Sequence, residues 1–406
     1  MNVSGRTVVV LGGGIGGLTV ANELRGLLAR EHRVVLVERE RDHVFAPSLL
    51  WLMAGDRRPA QVTHELADLA HRGIELVRAE VTAIDPERRA VVAGTRELRY
   101  DALVVALGAE LAPQALPGFA EAAQNFFNLD GAARFADALR SFPGGRAVVA
   151  VSSLPYKCPA APYEAALLID AALRRRGVRE RSEVIVFTPE SQPMPVAGPA
   201  LGAAVSRLLA DRGITLHVGR PLTAIDPVQR ELVFADGTRE RFDLLAGVPP
   251  HRSPEVVRRS PLANETGWIP VDPHTLRTRF ADTYAIGDVT TITLANGKPL
   301  PKAGVFAHGE ARVVAREVAA SFGGASAAAF DGRGFCWVEL GAGRAAFAEG
   351  EFYATPSPVV RLRAPGKGWH LAKVLFERSW IGGRLERTLA TAILRAGAAA
   401  SGVRAP

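Results

Sequence analysis

An apolar strand, Val8-Val9-Val10-Leu11, runs straight into Gly12-Gly13-Gly14-Ile15-Gly16-Gly17-Leu18, and this strand-to-glycine turn constrains the fold more than any other feature of the chain. In a G-x-G-x-x-G turn Gly12 permits the tight reversal and Gly14 lets the backbone approach a pyrophosphate with no Cβ in the way. Gly17 lets the following helix pack closely on the strand. The first N–H groups of that helix then face the anion. A second apolar strand, Val34-Val35-Leu36-Val37, ends in Glu38, where a carboxylate can meet a ribose hydroxyl. The chain therefore opens as a βαβ unit that binds a dinucleotide.

The chain has 406 residues, more than a single core usually serves, so two or three subdomains are expected. With 48% hydrophobic and 22% charged residues it has an ordinary globular composition. Its formal charge of +7 includes no long run of like charges that would read as a nucleic-acid arm, and an anionic lipid surface or a generally basic host proteome explains it better. Met1-Asn2-Val3-Ser4-Gly5-Arg6 leads directly into the first strand, so a cleaved export signal is not expected. No uncharged apolar stretch reaches the roughly 18 residues of a spanning helix. The two cysteines, Cys158 and Cys336, match no zinc spacing, and the nine histidines form no ligand set. His251 and His308 read as core or helix-cap residues, and no metal is expected.

An internal repeat organises the chain. Arg72-Gly73-Ile74-Glu75-Leu76 and Thr82-Ala83-Ile84-Asp85-Pro86 return as Arg212-Gly213-Ile214-Thr215-Leu216 and Thr223-Ala224-Ile225-Asp226-Pro227. Each copy continues through short alternating strands and a hairpin turn, Ala93-Gly94-Thr95 or Ala235-Asp236-Gly237-Thr238. Each then reaches an apolar segment, Tyr100-Asp101-Ala102-Leu103-Val104-Val105 or Phe242-Asp243-Leu244-Leu245-Ala246-Gly247. A period of about 140 residues is too long for a solenoid and indicates duplication of a βαβ module with a small antiparallel insertion. The second module opens with the strand Arg146 to Val151, but its turn reads Ser152-Ser153-Leu154-Pro155-Tyr156-Lys157-Cys158-Pro159. Side chains block close approach of a pyrophosphate there, and prolines remove donors, so the second nucleotide site is expected to be lost.

A cysteine stands in its place. Cys158 precedes Ala160 to Ile169, a run of strong helix formers with Pro162 suited to the first turn. A helix N-terminus and the neighbouring Lys157 favour thiolate over thiol, which predicts a depressed pKa. The alternative is a small buried hydrophobe. Glu164 is the acid closest to Cys158 in sequence, and helical spacing can turn it back toward the sulfur or leave it on a solvated face. Cys336, between Phe335 and Trp337, reads locally as a core residue.

Ala281-Asp282-Thr283-Tyr284-Ala285-Ile286-Gly287-Asp288, together with the opening turn, resembles the flavoproteins with two dinucleotide-binding domains. That resemblance places Gly287 and Asp288 beside FAD, and Ala106-Leu107-Gly108-Ala109 resembles the family's A-T-G crossover near the flavin, with leucine for threonine. Within this superfamily the chain resembles the sulfide:quinone oxidoreductase and flavocytochrome c sulfide dehydrogenase group. The matching segments are Phe45-Ala46-Pro47-Ser48-Leu49, Lys157 to Pro162, Val248-Pro249-Pro250-His251, Pro301-Lys302-Ala303-Gly304-Val305-Phe306-Ala307 and Phe335-Cys336-Trp337. The resemblance implies an α/β fold of two tandem Rossmann-like, three-layer ββα domains with antiparallel insertions and a C-terminal α+β and helical region. Residues 1–110 and 251–325 would form the FAD-binding domain, 111–250 the second Rossmann-like domain carrying Cys158, and 326–406 the C-terminal region carrying Cys336.

The resemblance also pairs Cys158 with Cys336 as a redox couple. Hydrosulfide would convert one sulfur to a persulfide and the other thiolate would pass two electrons to the flavin, with polysulfide or elemental sulfur as product. It makes Glu164 a proton carrier and turns the Lys302 ammonium toward the flavin ring. Pro47, Ala106, Gly108 and Gly304 join Gly12, Gly14, Gly17, Glu38, Gly287 and Asp288 as cofactor residues. Many quinone-linked members carry a third cysteine, absent here, and no cysteine lies near Phe45 to Leu50, so FAD is expected to be noncovalent.

Trp369 to Ile381 reads as a helix ended by Gly382-Gly383. A second helix follows with Leu385, Leu389, Ile393 and Ala396 on one face and Arg384, Arg387 and Arg395 among its polar positions. In the quinone-linked group such a tail sits on the membrane, here on its cytoplasmic side as a peripheral protein; the alternative is packing on its own domain or in a homodimer. Phe376 and Trp380 are candidates for a quinone pocket or for the core. The competing functions are the flavoprotein subunit of a cytochrome-linked sulfide dehydrogenase, a type II NADH dehydrogenase-like enzyme, and a non-catalytic flavin-binding sulfur carrier.

Overall fold

The computed structural model describes residues 5–71, 73–324 and 326–403. Arg72 of the first repeat copy and Met1 to Ser4 lie outside the described residues. Along the chain, β1 (Thr7–Leu11) leads into α1 (Ile15–Leu27), β2 (Arg33–Glu38) and β3 (Ile74–Arg78). A three-stranded antiparallel sheet follows, β4 (Val81–Asp85), β5 (Ala90–Ala93) and β6 (Arg96–Arg99), and then β7 (Ala102–Val105). The second copy runs through β8 (Gln124–Asn125), β9 (Gly145–Val151), α2 (Ala161–Arg175), β10 (Ser182–Phe187) and β11 (Ile214–His217). Its own antiparallel insertion is β12 (Leu222–Asp226), β13 (Glu231–Phe234) and β14 (Arg239–Arg241), before β15 (Leu244–Val248). The chain then gives β16 (Thr283–Ala285) and α3 (Gly304–Ser321). It ends in β17 (Arg333–Gly341), β18 (Arg344–Glu351), β19 (Val359–Gly366), α4 (Lys367–Ile381) and α5 (Arg384–Ser401).

Two five-stranded parallel sheets result, in the orders β16-β7-β1-β2-β3 and β8-β15-β9-β10-β11. Their central strands are continuous runs of valine, leucine and alanine because helices or hairpins cover both faces. Val8, Val9 and Val10 are fully buried, pairing with Val34, Val35 and Leu36 on one side and Ala102, Leu103 and Val104 on the other. β16 returns to the edge of the first sheet, so Gly287 and Asp288 reach the end of β1 from far along the chain. Gly12 has φ +100°, and a Cβ on Gly17 would stand 1.7 Å from the Gly12 carbonyl oxygen. The turn after β1 therefore requires both glycines.

The third sheet, β17-β18-β19, is antiparallel and carries Cys336 opposite Ala348. An aromatic cluster of Phe45, Trp337, Phe347 and Phe376, with Ile381 and Leu394, joins it to α4 and α5. This packing brings the C-terminal helices back to the ends of the parallel strands.

Candidate active site

The ends of β1, β7, β9 and β16 open into one cavity of about 1470 Å³. Its wall at one end is the glycine turn, with Gly12, Gly14 and Glu38, and Ala106, Gly108, Pro47, Gly287, Asp288 and Gly304 continue the lining. Cys158, Glu164, Cys336, Lys302 and Phe376 line it as well. Gly17 stands behind the wall and acts through packing.

Two helix starts border the cavity, α1 after Gly14 and α3 after Ala303, and neither has a side-chain cap to satisfy its first N–H groups. A Cβ on Gly14 would meet no protein atom within 4 Å. Glu38 is held in place by backbone donors: Gly13 N to Oε2 at 2.6 Å, and Arg39 N and Glu40 N to Oε1 at 2.7 and 3.0 Å. Three buried polar atoms of the lining residues, Asp288 Oδ1, His43 Nε2 and Trp337 Nε1, have no partner in the protein. Burial pushes the Asp288 carboxyl up, against the charges of Lys157 and Lys302.

The Lys302 ammonium is tied to the cavity wall by backbone carbonyls. Its Nζ donates to the Asp288 and Thr290 carbonyls at 2.8 and 2.9 Å and lies 3.5 Å from the centre of the Trp268 ring. Burial lowers its pKa to about 8.

Cys158 and Cys336 come from opposite sides, the turn before α2 and strand β17, to the same cavity, and both are free thiols. Cys158 has φ +56°, a conformation rarely adopted by a residue with a side chain. Its N–H donates to the Lys302 carbonyl at 2.7 Å and its own carbonyl accepts from Ala161 N at 2.9 Å. The expected depressed pKa is not found. Burial pushes the Cys158 thiol up to about 12, Glu164 adding to the shift and Lys373 opposing it. Desolvation outweighs the Ala161 N–H at the start of α2, which lowers the pKa, and Lys157 acts instead on Asp288 and His251. Cys336 is raised further, first by burial and then by the charge of Cys158.

Glu164 is not on a solvated face. It is buried and ion-paired with the equally buried Lys373 of α4, and burial lifts its pKa to about 7 against the pull of that ammonium. Burial works against the charge on Lys373 too, but Glu164 and Glu339 outweigh it and raise the pKa. Glu339 of β17 is buried and accepts from His370 Nδ1, at 2.9 Å. Sequence reasoning missed Lys373, Glu339 and His370; the available signal was a lysine at a position that α4 turns inward with Phe376 and Glu377.

Phe376 lines the cavity and packs on Trp337 at 5.1 Å between ring centres. Trp380 does not line it; it stacks on Phe45 and His43 in the wall behind. His251 and His308 are core residues, hydrogen-bonded to the Pro249 carbonyl and Thr19 and lowered by burial to about 3 and about 4.

The sequence pattern of the family described as pyridine nucleotide-disulphide oxidoreductase matches residues 6–311. The chain belongs to this family. Among its curated relatives, the mitochondrial sulfide:quinone oxidoreductase of Mus musculus is 26% identical over 70% of this chain and 66% of its own length. This chain thus spans slightly under two thirds of that relative. An alternative NAD(P)H-ubiquinone oxidoreductase of Arabidopsis thaliana is 29% identical over 75% of this chain and 65% of its own. Among solved structures, the sulfide:quinone oxidoreductase of Aquifex aeolicus superposes with a TM-score of 0.82 at 23% identity, covering 96% of both chains. The expected α/β fold with parallel Rossmann-like sheets is therefore the fold of this oxidoreductase family.

Membership implies a flavin, FAD. The cavity fits it: open space at Gly14, two uncapped helix starts for a pyrophosphate, the fixed Glu38 carboxylate for ribose hydroxyls, and orphaned donors and acceptors at His43 and Asp288.

Proposed function

We propose that the protein is a sulfide:quinone oxidoreductase in which Cys158 and Cys336 are the redox pair and FAD is held noncovalently. The observation that carries this reading is that two free thiols from distant parts of the chain line the cavity that begins at the glycine turn, near enough for the charge of one to act on the other. In the oxidised state the pair is a disulfide. Hydrosulfide attacks one sulfur, a new S–S bond forms as the Cys–Cys bond breaks, and the pair becomes one persulfide and one thiolate. Loss of two electrons from the persulfide and the thiolate to a bound flavin would reclose the pair with the added sulfur in the bridge, and repetition would lengthen the chain toward polysulfide or elemental sulfur. FAD, when bound by the glycine turn, Glu38, Gly287 and Asp288, supplies a two-electron relay to a quinone.

Glu164 is placed to take the hydrosulfide proton, since its raised pKa lets it gain and lose a proton near neutrality and Lys373 steadies its anion. Phe376, with Trp337 beside it, offers an apolar wall for the quinone ring. Leu371, Leu385, Leu389 and Ile393 are exposed on α4 and α5, with Arg384, Arg387 and Arg395 on the same tail, a basic amphipathic surface for peripheral docking on the cytoplasmic side of a membrane. Among the described residues no helix is long and apolar enough to cross a membrane.

Anaerobic stopped-flow mixing tests the reading. Sulfide should bleach the flavin absorbance rapidly, and NADH should do so at least tenfold more slowly because the turn after β9 has no glycine. Equal or faster bleaching by NADH would instead make this an NADH dehydrogenase.

A further inference from the structure

Glu190 lies three residues beyond β10, is 5% exposed, and has no part in the reaction above. Its Oε2 accepts from Tyr156 Oη at 3.0 Å and Thr188 Oγ1 at 3.3 Å, and from Tyr163 Oη in a short contact. Tyr156 stands two residues before Cys158 in the turn after β9, and Tyr163 stands in the first turn of α2 beside Glu164. Both rings are buried.

The first module contains the same contact with a different partner. Glu38, at the end of β2, reaches the turn after β1 and accepts from the backbone N–H of Gly13. Each half therefore carries an acid from the end of its second strand to the turn after its first. In the first half the turn is glycine and backbone N–H groups hold the acid at the cavity wall. In the second half two phenols occupy the acid, and the turn they come from bears Cys158.

We propose that Glu190, Tyr156 and Tyr163 are a positioning clamp that fixes the Cys158 turn, the second module's nucleotide-turn acid having become a support for a thiol. Cys158 needs such support because its backbone is left-handed and is held otherwise by the Lys302 carbonyl and the start of α2. A buried carboxylate is tolerated only while hydroxyl donors satisfy it. Removing the phenol oxygens leaves the acid short of donors, and it regains them from water by opening the turn and exposing the sulfur.

The meaning of the clamp for catalysis rests on the proposed function, but its test needs no sulfide. In the FAD-loaded protein with Cys336→Ser, Cys158 is the sole thiol, and its alkylation by iodoacetamide at pH 8 reports how tightly the turn is held. Tyr156→Phe with Tyr163→Phe should raise the alkylation rate at least tenfold with bound flavin unchanged, and Tyr156→Phe alone, which keeps the ring and the fold, at least threefold. A part in global stability alone would lower the melting temperature without moving the alkylation rate of the folded protein. Rates within twofold of the parent in the single variant overturn the clamp. Faster alkylation in the Cys336→Ser background, together with a failure of sulfide to reduce the flavin of the protein that keeps both cysteines, would uphold the clamp and sink the sulfide reading.

Discussion

At Cys158 two demands oppose each other, since a nucleophilic sulfur must be a thiolate while burial here drives the thiol up to about 12. In the proposed reaction a disulfide would resolve the conflict, because an oxidised pair would carry no charge to desolvate and hydrosulfide would bring the nucleophile. Cys158→Ser and Cys336→Ser should each slow single-turnover flavin reduction by sulfide by about a hundredfold or more with FAD still bound, since no sulfur holds the nucleotide. Near wild-type reduction in both variants would make the cysteines structural. Glu310 gives a pH prediction. It is buried, accepts from Gly287 N at 2.6 Å, and is raised by burial from 4.5 to about 7. A raised carboxyl keeps its proton in the folded state after the unfolded chain has lost it, so stability falls as pH rises from about 4.5 through about 7. Glu310→Gln keeps an acceptor for Gly287 and removes the titration. The stability advantage of the wild type over this variant should shrink by about 1–3 kcal/mol between pH 5 and 7.5, read from denaturant midpoints. A constant difference would show that Glu310 does not titrate there.

At the scale of elements, the strand–turn–helix at the N-terminus separates packing from binding within one motif. A Cβ at Gly17 collides with the Gly12 carbonyl, so Gly17→Ala should displace α1, costing about 1–3 kcal/mol of stability as well as FAD affinity. A Cβ at Gly14 meets only open cavity, so Gly14→Ala should leave the unfolding midpoint of the FAD-free protein unchanged and raise the Kd for FAD by tenfold or more, measured by flavin fluorescence titration. Equal affinity in Gly14→Ala and wild type would remove the pyrophosphate from this turn. These elements were legible in the sequence because a buried parallel strand must be a continuous apolar run and a close helix approach demands glycine. The Glu164–Lys373 pair was not legible, because its partners lie 209 residues apart and nothing local to either marks the contact. The thiol shift was missed for the same reason: Cys158 packs against a core assembled from distant segments and feels Lys373 of α4, which a reading of its own turn does not contain. Trp380 sits behind the cavity wall because Phe45 and His43 take its ring, a packing choice that helical periodicity cannot decide.

For the molecule as a whole, the proposed use of an apolar acceptor raises the question of what the outer face of α4 and α5 meets. Leu385, Leu389 and Ile393 recur at four-residue spacing and are more than half exposed, while Ala390, Leu394 and Ala398 of the same helix are buried. The helix is thus packed by one side and leaves a second apolar stripe outward, bordered by Arg384, Arg387 and Arg395. Arginine beside leucine suits an anionic bilayer, in which the side chains enter the acyl boundary and the guanidinium groups meet phosphate. The same tail supplies Lys373 and Phe376 to the cavity, so docking would set the opening near the lipid. The wild type should sediment with anionic phospholipid vesicles, less so as salt rises. Leu385→Ser, Leu389→Ser and Ile393→Ser together should weaken this at least tenfold, because even partial burial of each leucine or isoleucine is worth on the order of 1 kcal/mol. Flavin reduction by sulfide should be unchanged in that triple variant, since these side chains lie outside the cavity, while turnover with a vesicle-borne quinone should fall. If vesicle binding persists and the triple variant instead changes the sedimentation coefficient of the free protein, the stripe joins two copies of the chain and the membrane contact lies elsewhere.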